Sequence, residues 1–226
     1  MNTKVLSIGC RKVIIYSQAE AADCPVIYIH AAAEAMPELI SLLGERKIIL
    51  AAVDEVDWEA DLSPWPAPKA FRGGVDFIGG GDAYLSELTG KIVPTVEETL
   101  GFSPRHRIIA GYSMAGLFAI YALYRTGIFN RAVSVSGSLW YDGFLDFIKD
   151  NRPVRQPDRV YFSLGDHEAI TRNQRLASVQ DCTLQAERQL RDMGVSTEFE
   201  LNEGNHFADV GQRIAKGLDW IVQAVI

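Results

Sequence analysis

Ser113 sits in the run Gly111-Tyr112-Ser113-Met114-Ala115-Gly116, between a short apolar stretch at 107–110 and a longer one at 117–124. A serine on a tight turn from a buried strand into a buried helix, with small residues on either side, is the arrangement that presents a hydroxyl as a nucleophile. The turn lifts the hydroxyl above the sheet edge, and the helix N-terminus offers N–H groups and positive dipole to a developing oxyanion. Ala115 stands where the usual pattern has its last glycine, and Gly116 follows it. Such a serine needs a base, and the base needs a carboxylate that holds its tautomer and stabilises its charged form.

In a hydrolase of this topology the chain order is serine, acid, histidine. His30 and His106 precede Ser113, which leaves His167 and His206. His206, in the turn Asn202-Glu203-Gly204-Asn205-His206-Phe207, is the expected base. The acid is expected in Leu164-Gly165-Asp166-His167-Glu168. Glu168 is the first choice, because three residues beyond the glycine that ends a strand it can turn back toward His206. Asp166 is the alternative, with a loop-fixing or capping role otherwise. His167 adjoins the acid and is the poorer base. An oxyanion hole needs two backbone donors: the N–H of Met114, and one from His30-Ala31-Ala32-Ala33, with Ala31 expected first and Ala32 next.

These groups must be brought to the carboxyl ends of strands, where ligands sit in open α/β sheets. The chain reads as strands at 4–9, 11–16, 26–30, 46–53, 107–110, 132–136, 159–164 and 197–201. Helices are expected at 35–43, at 84–100 with an entry or interruption at Pro94, at 117–124, 143–149, 179–193 and 207–225. Alternation of this kind implies a mostly parallel eight-stranded sheet with an antiparallel N-terminal strand and helices on both faces. Without a linker, repeat or low-complexity segment, residues 1–226 read as one domain. The polar and aromatic segment 54–81 is too long for an ordinary connection and is expected to roof part of the pocket, with no large lid.

The 226 residues, 48% of them hydrophobic, suffice for a large core. A net charge of −7 and the lack of any Lys/Arg run argue against nucleic acid as a partner. No apolar run approaches the ~20 residues that span a bilayer, so no membrane role is expected. The N-terminus lacks the apolar region of a secretory signal. Cys10, Cys24 and Cys182 fit neither a disulfide framework nor a zinc spacing. Reduced thiols and a cytoplasmic location are therefore expected.

Gly111-Tyr112-Ser113-Met114-Ala115-Gly116-Leu117, Ser136-Gly137-Ser138-Leu139-Trp140-Tyr141, Leu164-Gly165-Asp166-His167-Glu168 and Asn205-His206-Phe207 together carry a resemblance. From about Val26 onward the chain resembles the putative-esterase branch of the α/β-hydrolase superfamily, which includes enterochelin-esterase-like siderophore hydrolases, feruloyl esterases, S-formylglutathione hydrolases and mycolyltransferases. Asp61-Leu62-Ser63-Pro64 is similar to the Asp-x-x-Pro segment of that branch. The resemblance implies an α/β-hydrolase fold with Ser113 as nucleophile, Glu168 as triad acid and His206 as base. Where relatives tend to have Asp-Gly or His-Gly after the third strand, this chain has His30-Ala31.

The chemistry that follows is acyl transfer from a small-molecule ester to Ser113 and then to water, with no metal or organic cofactor. Tyr112, Trp140, Trp58 and Trp65, with Tyr141, fall in or beside loops at the active end. They suit an apolar or aromatic acyl pocket, although for any single one of them plain loop packing is the commoner outcome. Arg72 and Arg172 read as surface charges rather than substrate contacts. Thioester or lactone hydrolysis, acyl transfer to another acceptor, and a non-catalytic binding role are the alternatives. The complete Ser113, Glu168, His206 set in chain order stands against the last.

Overall fold

Side-chain alternation along the strands divides the interior into two cores. In β3 (Val26–His30), Val26 and Tyr28 join one core while Ile27 and Ile29 join the other. In β5 (Arg107–Tyr112), Ile109 faces the first core and Ile108 and Ala110 the second. A strand apolar on both faces must be covered on both, which is the condition for a parallel sheet layered between helices. The computed structural model describes residues 2–17 and 24–223.

The other strands are β1 (Asn2–Ile8), β2 (Arg11–Ser17), β4 (Ile49–Asp54), β6 (Arg131–Val135), β7 (Arg159–Gly165) and β8 (Ser196–Asn202). They form one eight-stranded sheet in the order β1-β2-β4-β3-β5-β6-β7-β8. β2 runs antiparallel to both β1 and β4, and every other pair is parallel. One face carries α1 (Met36–Leu43) and α8 (Val210–Val222), whose Leu39, Leu43, Ile214 and Leu218 enter the second core. The opposite face carries α2 (Gly81–Glu87), α3 (Val93–Leu100), α4 (Met114–Arg125), α5 (Phe144–Asp150) and α7 (Val179–Asp192), with the short α6 (Gln174–Ala177) leading into α7. This is the α/β-hydrolase fold, and no separate lid domain is inserted among the described residues. No helix among them is long and apolar enough to cross a membrane.

Several boundaries differ from the sequence expectations for local reasons. β4 begins at Ile49 rather than 46, because Arg46 turns aside to bond Asp219 of α8 with a 2.6 Å contact. The helix expected at 84–100 starts at Gly81 and passes through a π-helical turn at Leu88–Ile92 just before Pro94. Proline has no N–H to give and clashes with the carbonyl four residues back, and a widened turn relieves both defects. The helix with Ser113 at its cap begins at Met114 rather than 117. The last helix starts at Val210 rather than 207, since Asp209 takes a left-handed φ of 48° and keeps 203–209 as a turn. Its expected end at Val225 lies outside the described residues.

Candidate active site

Ser113 is held between strand and helix in a conformation that L side chains rarely adopt, φ 58° and ψ −121°. The surrounding backbone fixes it: the Ser113 N–H donates to Val135 O at 3.0 Å, and its carbonyl accepts from the N–H groups of Gly116, Leu117 and Ser138. The turn is so tight that a Cβ on Gly111 would collide with the backbone oxygen of Ala115. The first glycine of the motif therefore creates the clearance, and the fully buried Ala115 methyl fits in the space that Gly111 leaves open. Strain of this kind, imposed by two packed elements, keeps the hydroxyl proud of the sheet.

His206 Nε2 lies 3.1 Å from Ser113 Oγ, and His206 Nδ1 lies 2.7 Å from Glu168 Oε2. An ionised carboxylate only accepts, so Nδ1 carries the hydrogen and Nε2 is left to accept from the serine hydroxyl. The Tyr112 hydroxyl donates to the His206 carbonyl, and the two rings stand 5.0 Å apart. Asp166 does not approach the imidazole. It accepts the Gly204 N–H at 2.9 Å and so ties down the turn that carries His206. His167 is exposed beside Asp166, and His106 lies at the other end of the sheet, 2.8 Å from Asn130.

Glu168 is nearly enclosed, with a side chain 3% exposed. Its Oε1 accepts from the Gly165 N–H at 2.6 Å, the Ser136 hydroxyl at 2.6 Å and the Arg213 guanidinium at 2.7 Å. Burial by itself raises a carboxyl pKa, but the bonds from His206, Gly165 and Ser136 outweigh it and hold Glu168 down to about 2. Glu168 thus faces the imidazole as an anion through the neutral range. His30, at the end of β3, is buried with its Nε2 2.6 Å from the Tyr84 hydroxyl, and burial pushes its pKa down to about 4.

Ser113, Met114, Glu168 and His206 open onto one cavity of about 400 Å³. Trp58, Phe71, Val75, Phe77, Trp140 and Phe207 give it a largely apolar wall, to which Glu59 and Lys69 add charge. The segment between β4 and α2 supplies much of that wall, bridged across its own loop by Ala67 and Phe77.

Two expected pocket residues have other contacts. Trp65 packs its ring among Tyr121, Tyr141, Phe144 and Phe147, with Nε1 donating to Asp142 O at 2.9 Å. Tyr112 supports the His206 turn from behind rather than lining the cavity. Ala31 follows His30, which stands in register with Gly111 before the serine turn, and it lines two hollows beside the Ser113 cavity; Trp58 lines that cavity and one of those hollows. Conversely, Arg213 and Ser136 touch the acid although neither was expected there. Arg213 falls on the stripe Val210, Arg213, Ile214, Gly217, Leu218, Ile221 of α8, so a charge on an apolar helical period was the sign available.

The sheet order, the serine turn and the facing histidine and acid define the class as an α/β-hydrolase. Residues 9–216 match the family described as Putative esterase, and the chain belongs to that family of carboxylic ester hydrolases. It is similar to the uncharacterized protein YbbA of Bacillus subtilis (strain 168), with 23% identity over 217 residues, 89% of this chain and 87% of YbbA. The siderophore hydrolase EstA from Aspergillus nidulans superposes with a TM-score of 0.75 at 17% identity, covering 97% of this chain and 93% of EstA. The enterochelin esterase of Shigella flexneri gives 0.72 at 19% identity, over 96% of this chain and 57% of that longer one. At such identities the structural likeness speaks for the fold.

Proposed function

We propose that this protein hydrolyses a small-molecule carboxylic ester through an acyl-enzyme on Ser113, with His206 as general base and Glu168 as the acid that orients it. The observation that carries this reading is the unbroken contact chain from Ser113 Oγ through His206 to Glu168, opening onto the apolar cavity. His206 Nε2 takes the hydroxyl proton as Ser113 Oγ bonds to the ester carbonyl carbon. The resulting oxyanion meets the Met114 N–H and the N-terminal end of α4, whose dipole favours negative charge. The same proton passes from His206 to the departing alkoxide, and the acyl group stays on Ser113. Water then gives a proton to His206 while its oxygen attacks the acyl carbon, and Ser113 recovers the proton as the acid leaves.

The apolar wall favours an ester with an apolar or aromatic acyl part, because such surface is gained on entry without unpaired polar groups. The likeness to proteins named as siderophore hydrolase and enterochelin esterase is consistent with ester hydrolysis. Exposure of the purified protein to a fluorophosphonate, followed by mass spectrometry, tests the reading without a guess at substrate. A single adduct on Ser113, absent from protein denatured before exposure and from His206→Ala, is the expected result. An unlabelled native protein would sink the proposal.

A further inference from the structure

We infer that Arg213 is a positioning residue for this site: one buried guanidinium holds both Glu168 and the turn that carries His206, and its charge balances the Glu168 anion that faces the imidazole. The inference rests on the triad reading above and extends it to a residue on α8. Arg213 is 1% exposed, on a helix face otherwise formed by Ile214, Leu218 and Ile221. An aliphatic residue would satisfy that packing without the desolvation that a buried guanidinium suffers.

The contacts of Arg213 all lead to the site. Nη2 donates to Glu168 Oε1 at 2.7 Å and also to Ser136 Oγ. Nη1 donates to the carbonyl oxygens of Asn205 and Ala208, each at 3.2 Å, which bracket His206 in the chain. One planar cation thus joins the acid to the turn carrying the base, in the fork geometry that guanidinium supplies and an ammonium does not. With Oε1 occupied by Arg213, Ser136 and the Gly165 N–H, Glu168 turns Oε2 toward His206.

The charge has its own consequence. A buried carboxylate 2.7 Å from an imidazole favours imidazolium, which cannot accept the serine proton. The Arg213 cation shares that anion and offsets the bias. The charged and titratable groups around the pair are few. From β8, Glu200 is already held by Lys216 and the Tyr161 hydroxyl. From α1, Glu38 accepts from Gln212 at 3.5 Å and fills the space that a Cβ on Gly211 would need. The end of β5 presents the Tyr112 phenol, the loop after β7 presents Asp166 and His167, and Glu203 and Asp209 flank the His206 turn. Across the cavity stand Glu59 and Lys69. Among these, Glu168 alone places a carboxylate oxygen on the Arg213 guanidinium.

The test compares Arg213→Gln and Arg213→Lys with the wild type in the full chain, following the rate of fluorophosphonate labelling of Ser113 against pH. Loss of the cation in Arg213→Gln is expected to move the midpoint of the acid limb upward by about one pH unit, with labelling recovering at higher pH. Arg213→Lys keeps the charge and is expected to label more slowly with an unmoved midpoint. A lower plateau or lower thermal stability in Arg213→Gln with the wild-type midpoint would overturn the inference, since a merely structural residue does that. Should Arg213→Gln not fold, Arg213→Met, which fills the same apolar helix face without a charge, takes its place: a raised midpoint supports the inference and an unmoved one overturns it. Wild-type protein without a Ser113 adduct would instead remove the triad reading beneath it.

Discussion

Gly165 ends β7 so close to the carbonyl oxygen of Gly204 that a Cβ on Gly165 would collide with it. The close approach lets the turn 203–209 fold over the end of β7 and set His206 against Glu168, which the Gly165 N–H also holds. Gly165→Ala is therefore expected to displace the base. A shift of about 1 Å in a reacting group costs ~10²-fold in rate, so kcat/KM on a chromogenic ester should fall by about that factor. Retention of wild-type activity would show that the turn adjusts without moving His206.

Asp166 and Glu168 make opposite predictions. Glu168→Gln removes the anion that fixes the His206 tautomer, and a loss of about 10³- to 10⁴-fold in kcat is expected by analogy with triad acids generally. Asp166→Asn keeps an acceptor for the Gly204 N–H and should cost less than about tenfold. Steady-state kinetics on the two variants side by side distinguishes the acid from its neighbour.

Acid should weaken the fold in two stages. Burial keeps His30 neutral down to about 4, so between about 6.5 and 4 the unfolded chain binds a proton that the folded one does not. Stability rises with pH wherever the unfolded state holds more protons, so this share is lost on descending through that window. Glu168, ordinarily near 4.5, stays ionised down to about 2, and its share is present above 4.5 and lost as pH falls toward 2. That second stage is worth on the order of 3 kcal/mol. Urea denaturation at a series of pH values should show both slopes, and His30→Gln should flatten the first and leave the second.

Of the three tryptophans expected in the pocket, Trp65 and Trp140 have different roles. Trp65→Ala, which empties the aromatic cluster of Tyr121, Phe144 and Phe147, should lower stability by about 3 kcal/mol and leave acyl preference alone. Trp140→Ala opens the cavity wall and should raise KM for aromatic acyl esters by about tenfold with little change in kcat. Thermal unfolding and kinetics on a short acyl series check both.

Much of the fold was legible because strand and helix periods are local. The strands around Val26–His30 and Arg107–Tyr112 read as buried runs, and the alternation of elements implied a covered, mostly parallel sheet. Boundaries were less legible where a side chain had a distant use: Arg46 is drawn out of β4 by Asp219, 173 residues away. The left-handed Asp209 likewise shortened the last helix without a glycine or proline to announce it.

By itself the sequence determined that a serine would stand on a strand-to-helix turn, because glycine at 111 and the apolar runs on either side are neighbours in the chain. It also placed a histidine and two carboxylates after strands, and so at the same end of the sheet. Only the tertiary structure decided which groups meet. Ser113 and His206 are 93 residues apart, His206 and Glu168 are 38, and Arg213 and Glu168 are 45. Contacts over such separations depend on how β7, β8 and α8 pack, to within tenths of an ångström. No period of 2 or 3.6 residues encodes that, so packing alone decides that Glu168 rather than Asp166 meets His206, that Trp140 rather than Trp65 lines the cavity, and that Arg213 is buried against Glu168.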